Sequence, residues 1–267
     1  MPSPPVRYHA NGPVVTLTMD QQETRNALTA ELMAGVAGGL AQAASQPAAR
    51  VVVLGAAGPT FCAGADLRSG RAPTGGAVDL GGLMAALQAL PLPVICRVEG
   101  HCLGGGMGLV AACDLAVANE EVRLGFTEVR LGVAPAIVST TCLPRLRRAD
   151  ALELFLTGER VTAARAADMG LINRAVPAGE VDSVVSAWVD AITSGGPKAV
   201  AAAKGLVLAH PTEPAVLASL SAELFASAEA EEGRAAFRQR RRPAWATDPG
   251  TGVAGDSGEA PAADTGG

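Results

Sequence analysis

Pro93-Val-Ile-Cys-Arg-Val98, the turn Gly100-His-Cys-Leu-Gly-Gly-Gly-Met-Gly108, the apolar stretch Leu109–Cys113 and Asp114-Leu-Ala-Val-Ala118 follow one another in mid-chain. The first is apolar and β-branched and reads as a strand. The glycines turn the chain, residues 109–113 continue as a short apolar helix, and 114–118 returns to strand. Upstream the same alternation holds. Val14–Met19 is a strand, Thr29 caps a helix that runs to about Ala44, and Arg50–Leu54 is a buried strand ending in Gly55-Ala-Ala-Gly-Pro59. A Gly- and Pro-containing loop, 69–76, is expected to be mobile. A helix from about Val78 to Leu90 then stops at Pro91 and Pro93. Alternating strands and helices imply a layered α/β arrangement. Beyond Pro144 the pattern changes, and 147–157, 163–170, 180–193, 197–209 and 214–240 all read as helices.

The chain has 267 residues, 49% hydrophobic and 18% charged, enough for one large core with appendages. The formal charge of −5 argues against a nucleic-acid surface. Cys62, Cys96, Cys102, Cys113 and Cys142 form no Cys-x-x-Cys pair, and His9, His101 and His210 are scattered, so no metal site is expected. An odd thiol count without a signal-like start fits a cytoplasmic protein. No apolar run approaches the roughly 20 residues of a membrane span, so no membrane partner is expected. The tail from Pro243 has almost no large apolar residue after Trp245 and is expected to be disordered.

Two glycine turns, each after an apolar strand, carry the chemistry. They are Phe61-Cys-Ala-Gly-Ala-Asp-Leu67 and Leu103-Gly-Gly-Gly-Met107. Glycine lets backbone approach a ligand closely, and an N–H at a helix start points outward unpaired. Two such groups aimed at one point make an oxyanion hole. Either turn taken alone favours plain packing of a helix on a strand. Gly104, Gly106 and Gly108 give G-x-G-x-G, which is the wrong spacing for dinucleotide binding. Cys62 and Cys102 flank the turns without a histidine placed to activate them, and read as buried, inert thiols.

Taken in order with Arg25-Asn-Ala-Leu28, Cys113-Asp114, Phe126-Thr-Glu-Val-Arg-Leu-Gly132, Leu156-Thr-Gly-Glu159 and Ala167-Asp-Met-Gly-Leu-Ile172, these turns resemble the enoyl-CoA hydratase/isomerase (crotonase) superfamily from about residue 6 to 245. The resemblance implies an α/β fold, a spiral of ββα units with a helical C-terminal trimerisation region. The division it suggests is a flexible 1–5, a spiral core over 6–190, helices over 191–245 and a disordered 246–267. A homotrimer or hexamer is implied, acting on an acyl-CoA thioester with no cofactor beyond the CoA of the substrate. Ala65 and Gly105 match the residues whose N–H groups hold the thioester oxygen. Arg25, Ala27, Ala63, Asp66 and Leu67 fall in segments lining the CoA site, and Phe237 and Arg240 match positions that close over CoA, often from a neighbouring subunit. Read by itself, Asp66 suits a cap or turn residue.

The family's hydratases carry two glutamates. Glu128 matches the second, and Gly108 stands at the first. Adding water to an activated double bond needs a base for the water and an acid for the α-carbon, whereas one carboxylate can shift a double bond alone. Gly108 is expected to leave room for a bulkier acyl group, and Ile137 and Val138 to reshape the acyl pocket or pack as core. Glu99 and Asp66 are the candidate substitute carboxylates, and nothing in the sequence places either in the pocket. The expectation is an enoyl-CoA hydratase using one glutamate, with double-bond isomerisation second. A CoA-thioester binder without catalysis is the rival from another class, and a nucleotide-dependent oxidoreductase is remote.

Overall fold

The computed structural model describes residues 4–66 and 78–246. The 69–76 loop, Leu67 and nearly all of the expected disordered tail lie outside these residues.

Six strands form the larger sheet: β1 (Val6–Asn11), β2 (Val14–Met19), β3 (Val51–Ala56), β5 (Val94–Val98), β7 (Leu115–Asn119) and β10 (Arg174–Val176), adjacent in that order. Only the β1–β2 hairpin is antiparallel. A smaller sheet joins β4 (Thr60–Cys62), β6 (His101–Leu103), β8 (Arg123–Gly125) and β9 (Arg160–Thr162). Each successive pair, β3/β4, β5/β6 and β7/β8, puts its first strand in the large sheet and its second in the small one. A helix follows each pair: α2 (Leu80–Ala89), α3 (Gly105–Ala112) and α4 (Ser139–Cys142). This repetition is the ββα spiral.

Residues on alternate sides of the large-sheet strands enter two cores. Val52, Leu54, Cys96 and Val98 join a core with Phe61, Cys102 and Leu124 of the small sheet and residues of α1 (Ala30–Ala44), α2 and α3, whereas Val51, Val53, Ile95 and Val117 meet Val181, Val184, Val185 and Val189 of α7 (Val181–Ser194). Burial on both faces explains why the 50–54 segment reads as an unbroken apolar run. Helix α7 continues through residue 190, the expected division between core and C-terminal region.

Thr29 caps α1 (Ala30–Ala44) by accepting the Leu32 N–H, and Asp79 caps α2 through Gly82 N–H. The remaining helices are α5 (Arg148–Thr157), α6 (Ala163–Asp168), α8 (Pro197–Ala209), α9 (Pro214–Ala226) and α10 (Ala228–Gln239). The 214–240 helix expected as one piece is therefore two. Ser227 takes an extended conformation, ψ 152°, and its hydroxyl accepts the Ala230 N–H, so it ends α9 and caps α10. Helix α3 begins at Gly105, earlier than the expected residue 109. Its glycines weaken helix formation, but neighbours occupy the places their side chains would take, and packing overrides propensity.

Among the described residues no helix is long and apolar enough to cross a membrane.

Candidate active site

The two glycine turns touch. Gly64 has φ +91°, and a β-carbon there would stand 3.1 Å from Leu103 O and 3.6 Å from Gly105 N. The first turn is held in place by residues 25–28. Ala63 N–H donates to Arg25 O at 3.1 Å, and Leu28 N–H donates to Gly64 O at 2.8 Å. Arg25 and Asn26 both adopt left-handed conformations, φ 54° and 53°. Asn26 is fully buried and explains how that bend survives. Its amide nitrogen donates to Thr60 O and Ala57 O, and its oxygen accepts the Gln21 N–H. An asparagine with three backbone partners at a bend is a positioning residue that sequence reasoning did not single out. Its position beside Arg25 in the motif was the available signal.

The second turn starts α3. Gly104, at φ +55°, donates its N–H to Gly125 O at 2.9 Å, so β8 is stitched to the turn. A β-carbon on Gly105 would fall 2.4 Å from Leu28 Cδ1 and 3.2 Å from Leu80 Cδ2. Among the described residues, neither Ala65 N–H nor Gly105 N–H donates to a protein acceptor. Two unpaired N–H groups on adjoining turns are the donor set an oxyanion requires.

Glu128 opens a 3₁₀ turn, Glu128–Leu131, two residues after the buried Phe126, whose ring packs on Phe155 at 4.6 Å between centroids. Its carboxylate lies over Gly104, with Oε1 3.2 Å from the position a β-carbon would take. Oε2 is the one buried side-chain oxygen or nitrogen among the described residues without a hydrogen-bond partner. Burial pushes the Glu128 carboxyl above its ordinary range, against a smaller downward effect of a backbone hydrogen bond. A carboxylate with a raised pKa and an unused oxygen suits general acid–base work.

Gly108 overturns one expectation. It opens no room, because a β-carbon there would meet Met84 Sδ at 2.7 Å and Val138 Cγ1 at 2.7 Å. Both side chains are almost completely buried, so Val138 packs as core, with Ile137 partly buried against it. Glu99 is committed elsewhere: it is paired with Arg97 at 3.2 Å, and Arg97 also binds Asp182 of α7. Asp66 sits half-buried beside Ala65. Cys62 and Cys102 are buried around Gly106, and burial pushes the Cys62 thiol up to about 12 and the Cys102 thiol well above its ordinary value. His101 is exposed, and its Nδ1 accepts the Arg123 N–H. These facts agree with inert thiols.

Ala63, Ala65, Gly105 and Glu128 are thus gathered on adjoining turns, with Arg25 exposed and Ala27 buried along the segment that supports them. Phe237 lies near the end of α10, and Arg240 is its C-cap in a left-handed conformation. Phe237 lines an open groove with Phe225, Gly233 and Trp245. Trp245 is held there through Ser194 O and Arg50.

A ββα spiral carrying two free N–H groups and a half-buried carboxylate at adjoining turns is a crotonase fold. The enoyl-CoA hydratase/isomerase family model matches residues 9–248, and the chain belongs to that family. The enoyl-CoA isomerase/hydratase fer4 of Mycosarcoma maydis is 32% identical over 251 residues, covering 86% of this chain and 91% of that protein. The enoyl-CoA hydratase EchA19 of Mycobacterium tuberculosis is 31% identical over 254 residues, 90% of this chain and 96% of that one. The crystal structure of an enoyl-CoA hydratase from Mycobacterium smegmatis aligns with a TM-score of 0.84 at 33% identity, covering 92% of this chain and 100% of that chain.

Proposed function

We propose that the protein moves protons on an enoyl-CoA thioester, with Glu128 as its single acid/base and Ala65 N–H and Gly105 N–H holding the thioester oxygen. The observation that carries this reading is the unpartnered Oε2 of Glu128 beside the second glycine turn. The reaction the geometry supports best is migration of a double bond. In a 3-enoyl thioester, Glu128 removes a proton from C2, and that C–H electron pair forms the C1=C2 bond of an enolate as the carbonyl pair moves onto oxygen. On return the oxygen pair re-forms the carbonyl, the C1=C2 pair becomes C2=C3, and the former C3=C4 pair takes the proton back at C4. The negative charge passes through the thioester oxygen, where two N–H donors stabilise it. One carboxylate completes the cycle.

Hydration is the second reading, favoured by relatives that bear the hydratase name. It needs a proton taken from water as well as one delivered to C2, and a missing acid/base group costs about 3–5 kcal/mol of barrier. Glu128 would have to serve both ends.

We also propose an oligomer, a homotrimer or hexamer, and a CoA site that includes Arg25, Ala27, Ala63, Asp66 and Leu67, with Phe237 and Arg240 closing over CoA from a neighbouring subunit. Helices α8 and α9 contain no buried residue yet carry Val207, Leu208, Val216, Leu217 and Phe225. Such an apolar surface suits a subunit interface.

The test is to supply purified protein and the Glu128→Gln variant with 2-enoyl- and 3-enoyl-CoA and to follow products by chromatography and mass spectrometry. Interconversion of the isomers that depends on Glu128 supports the first reading. A product 18 mass units heavier would move the second to the front, by the mass of the added water. Thioester binding without any turnover would return the protein to the class of binders.

A further inference from the structure

Helix α3 presents its glycine face to α2. Gly105 lies under Leu80, and Gly108, one helical turn on, lies under Met84, one turn on from Leu80. The space beyond Gly108 is closed by the Met84 thioether and the Val138 isopropyl group, both at 2.7 Å from where a β-carbon would be. Met84 is 1% exposed and Val138 2%. Thr141 is the nearby hydroxyl, and its proton is aimed at carbonyl oxygens, Gly108 O at 3.1 Å and Val138 O at 3.3 Å, with Met84 Sδ at 3.5 Å. A glycine at this position is therefore not an empty place. It is a place filled from the facing helix and from the loop after Glu128 by groups that neither take nor give a proton.

We infer that Met84 and Val138 are specificity-determining residues: they occupy the volume of a second acid/base and so select proton return over addition of water. The inference rests on the reading of Glu128 as the acid/base. Hydration of a 2-enoyl thioester forms a C3–O bond from water, passes one water proton to a base and puts a proton on C2. Double-bond migration uses no water and needs one group that lends and reclaims a proton. Apolar, space-filling side chains leave the second process intact and deny the first both its second proton carrier and the room for one. A single substitution at residue 108 is then not enough to install hydration, because a carboxylate there collides with Met84 and Val138.

The test compares wild type, Met84→Leu, Met84→Ala, Val138→Ala, the Met84→Ala/Val138→Ala pair, and Gly108→Glu combined with either alanine substitution or with the pair. Each is given 2-enoyl- and 3-enoyl-CoA in water labelled with oxygen-18. The readout is the ratio of labelled hydroxyacyl product to isomerised product, with thermal melting as the check on folding. Wild type and Met84→Leu should yield isomer with little label. The triple variant should raise the labelled share by ~10²-fold, the lower end of what a positioned acid or base contributes. The alanine variants without Gly108→Glu open room but supply no proton carrier and should keep the wild-type share. Met84→Ala/Gly108→Glu and Val138→Ala/Gly108→Glu, which each clear half the space, should give smaller increases and carry the test if the triple variant does not fold. A triple variant that folds and isomerises with an unchanged labelled share overturns the inference. So does a wild type that hydrates as fast as it isomerises. A wild type that converts no enoyl thioester overturns instead the reading of the active site on which the inference rests.

Discussion

The Glu128 carboxylate rests on the backbone of Gly104, Oε1 being 3.2 Å from the point where any side chain at 104 would begin. That contact joins the proposed acid/base to the turn that carries the Gly105 N–H. It also makes Glu128 costly to the fold, since one oxygen is buried without a partner.

Removing that charge should stabilise the protein while disabling it. Burial raises the Glu128 pKa in the folded state, so the folded state disfavours the ionised form. The stability linked to this group is therefore present at low pH, below its unfolded pKa, and is lost as pH rises through the higher folded value. Glu128→Gln is expected to melt at a higher temperature than wild type at pH 7, and the gap should shrink toward pH 4. Melting curves across that range check the sign. An unchanged difference at both pH values would mean that the carboxyl is not strained by burial.

The same shift shapes activity. The base must be ionised, so the rate should fall on the acid side with a midpoint above the ordinary carboxylate value, and Glu128→Asp should move that limb. A pH–rate profile for isomer formation is the measurement.

Asn26 should be a stability residue with an activity cost. Asn26→Ala strands backbone groups at residues 21 and 60 in a buried bend, which typically costs about 1–3 kcal/mol for each group left unsatisfied. Denaturant midpoints should drop, and kcat should drop with them, because the 25–28 segment supports Ala63 and Gly64 through Arg25 O and Leu28 N–H.

Lys204 offers an independent check on how the C-terminal helices attach. Its ammonium group reaches Leu87 O, Leu92 O and Asp114 Oδ2, the last at 2.8 Å, with its side chain 6% exposed. Lys204→Met leaves the Asp114 carboxylate buried without its cation, and breaking such a pair typically costs about 3–5 kcal/mol. Adding Asp114→Asn should recover part of the loss in a double-mutant cycle.

Light scattering over a dilution series tests the assembly. A trimer or hexamer is expected, and Leu217→Glu combined with Val207→Glu on the exposed faces of α9 and α8 should yield smaller species. A wild-type monomer at all concentrations would contradict the proposed interface.

Strand–helix alternation, the Thr29 cap and the Pro91–Pro93 stop were legible because each rests on local chemistry, a side-chain cap or an absent N–H. Among the three-residue strands, β4, β6, β9 and β10 carry too little pattern to be read, since the ladder that defines them comes from chain segments far apart. Ser227 was hidden inside a helical pattern because serine caps and serine interiors look alike in sequence. At the candidate site, Ala65, Gly105 and Glu128 were named through an ordered motif, and the structure sets them on adjoining turns. What fills the space at Gly108 was not, because Met84 and Val138 reach it from two other elements and neither has a chemical signature.

The most direct measurement of the central claim is deuterium uptake from heavy water into a 3-enoyl-CoA by wild type and Glu128→Gln at equal occupancy of thioester. Wild type should incorporate deuterium at C2 and C4, and the variant should bind the thioester but exchange at least ~10²-fold more slowly. Exchange at the wild-type rate in Glu128→Gln would show that another group moves the proton and would contradict the account.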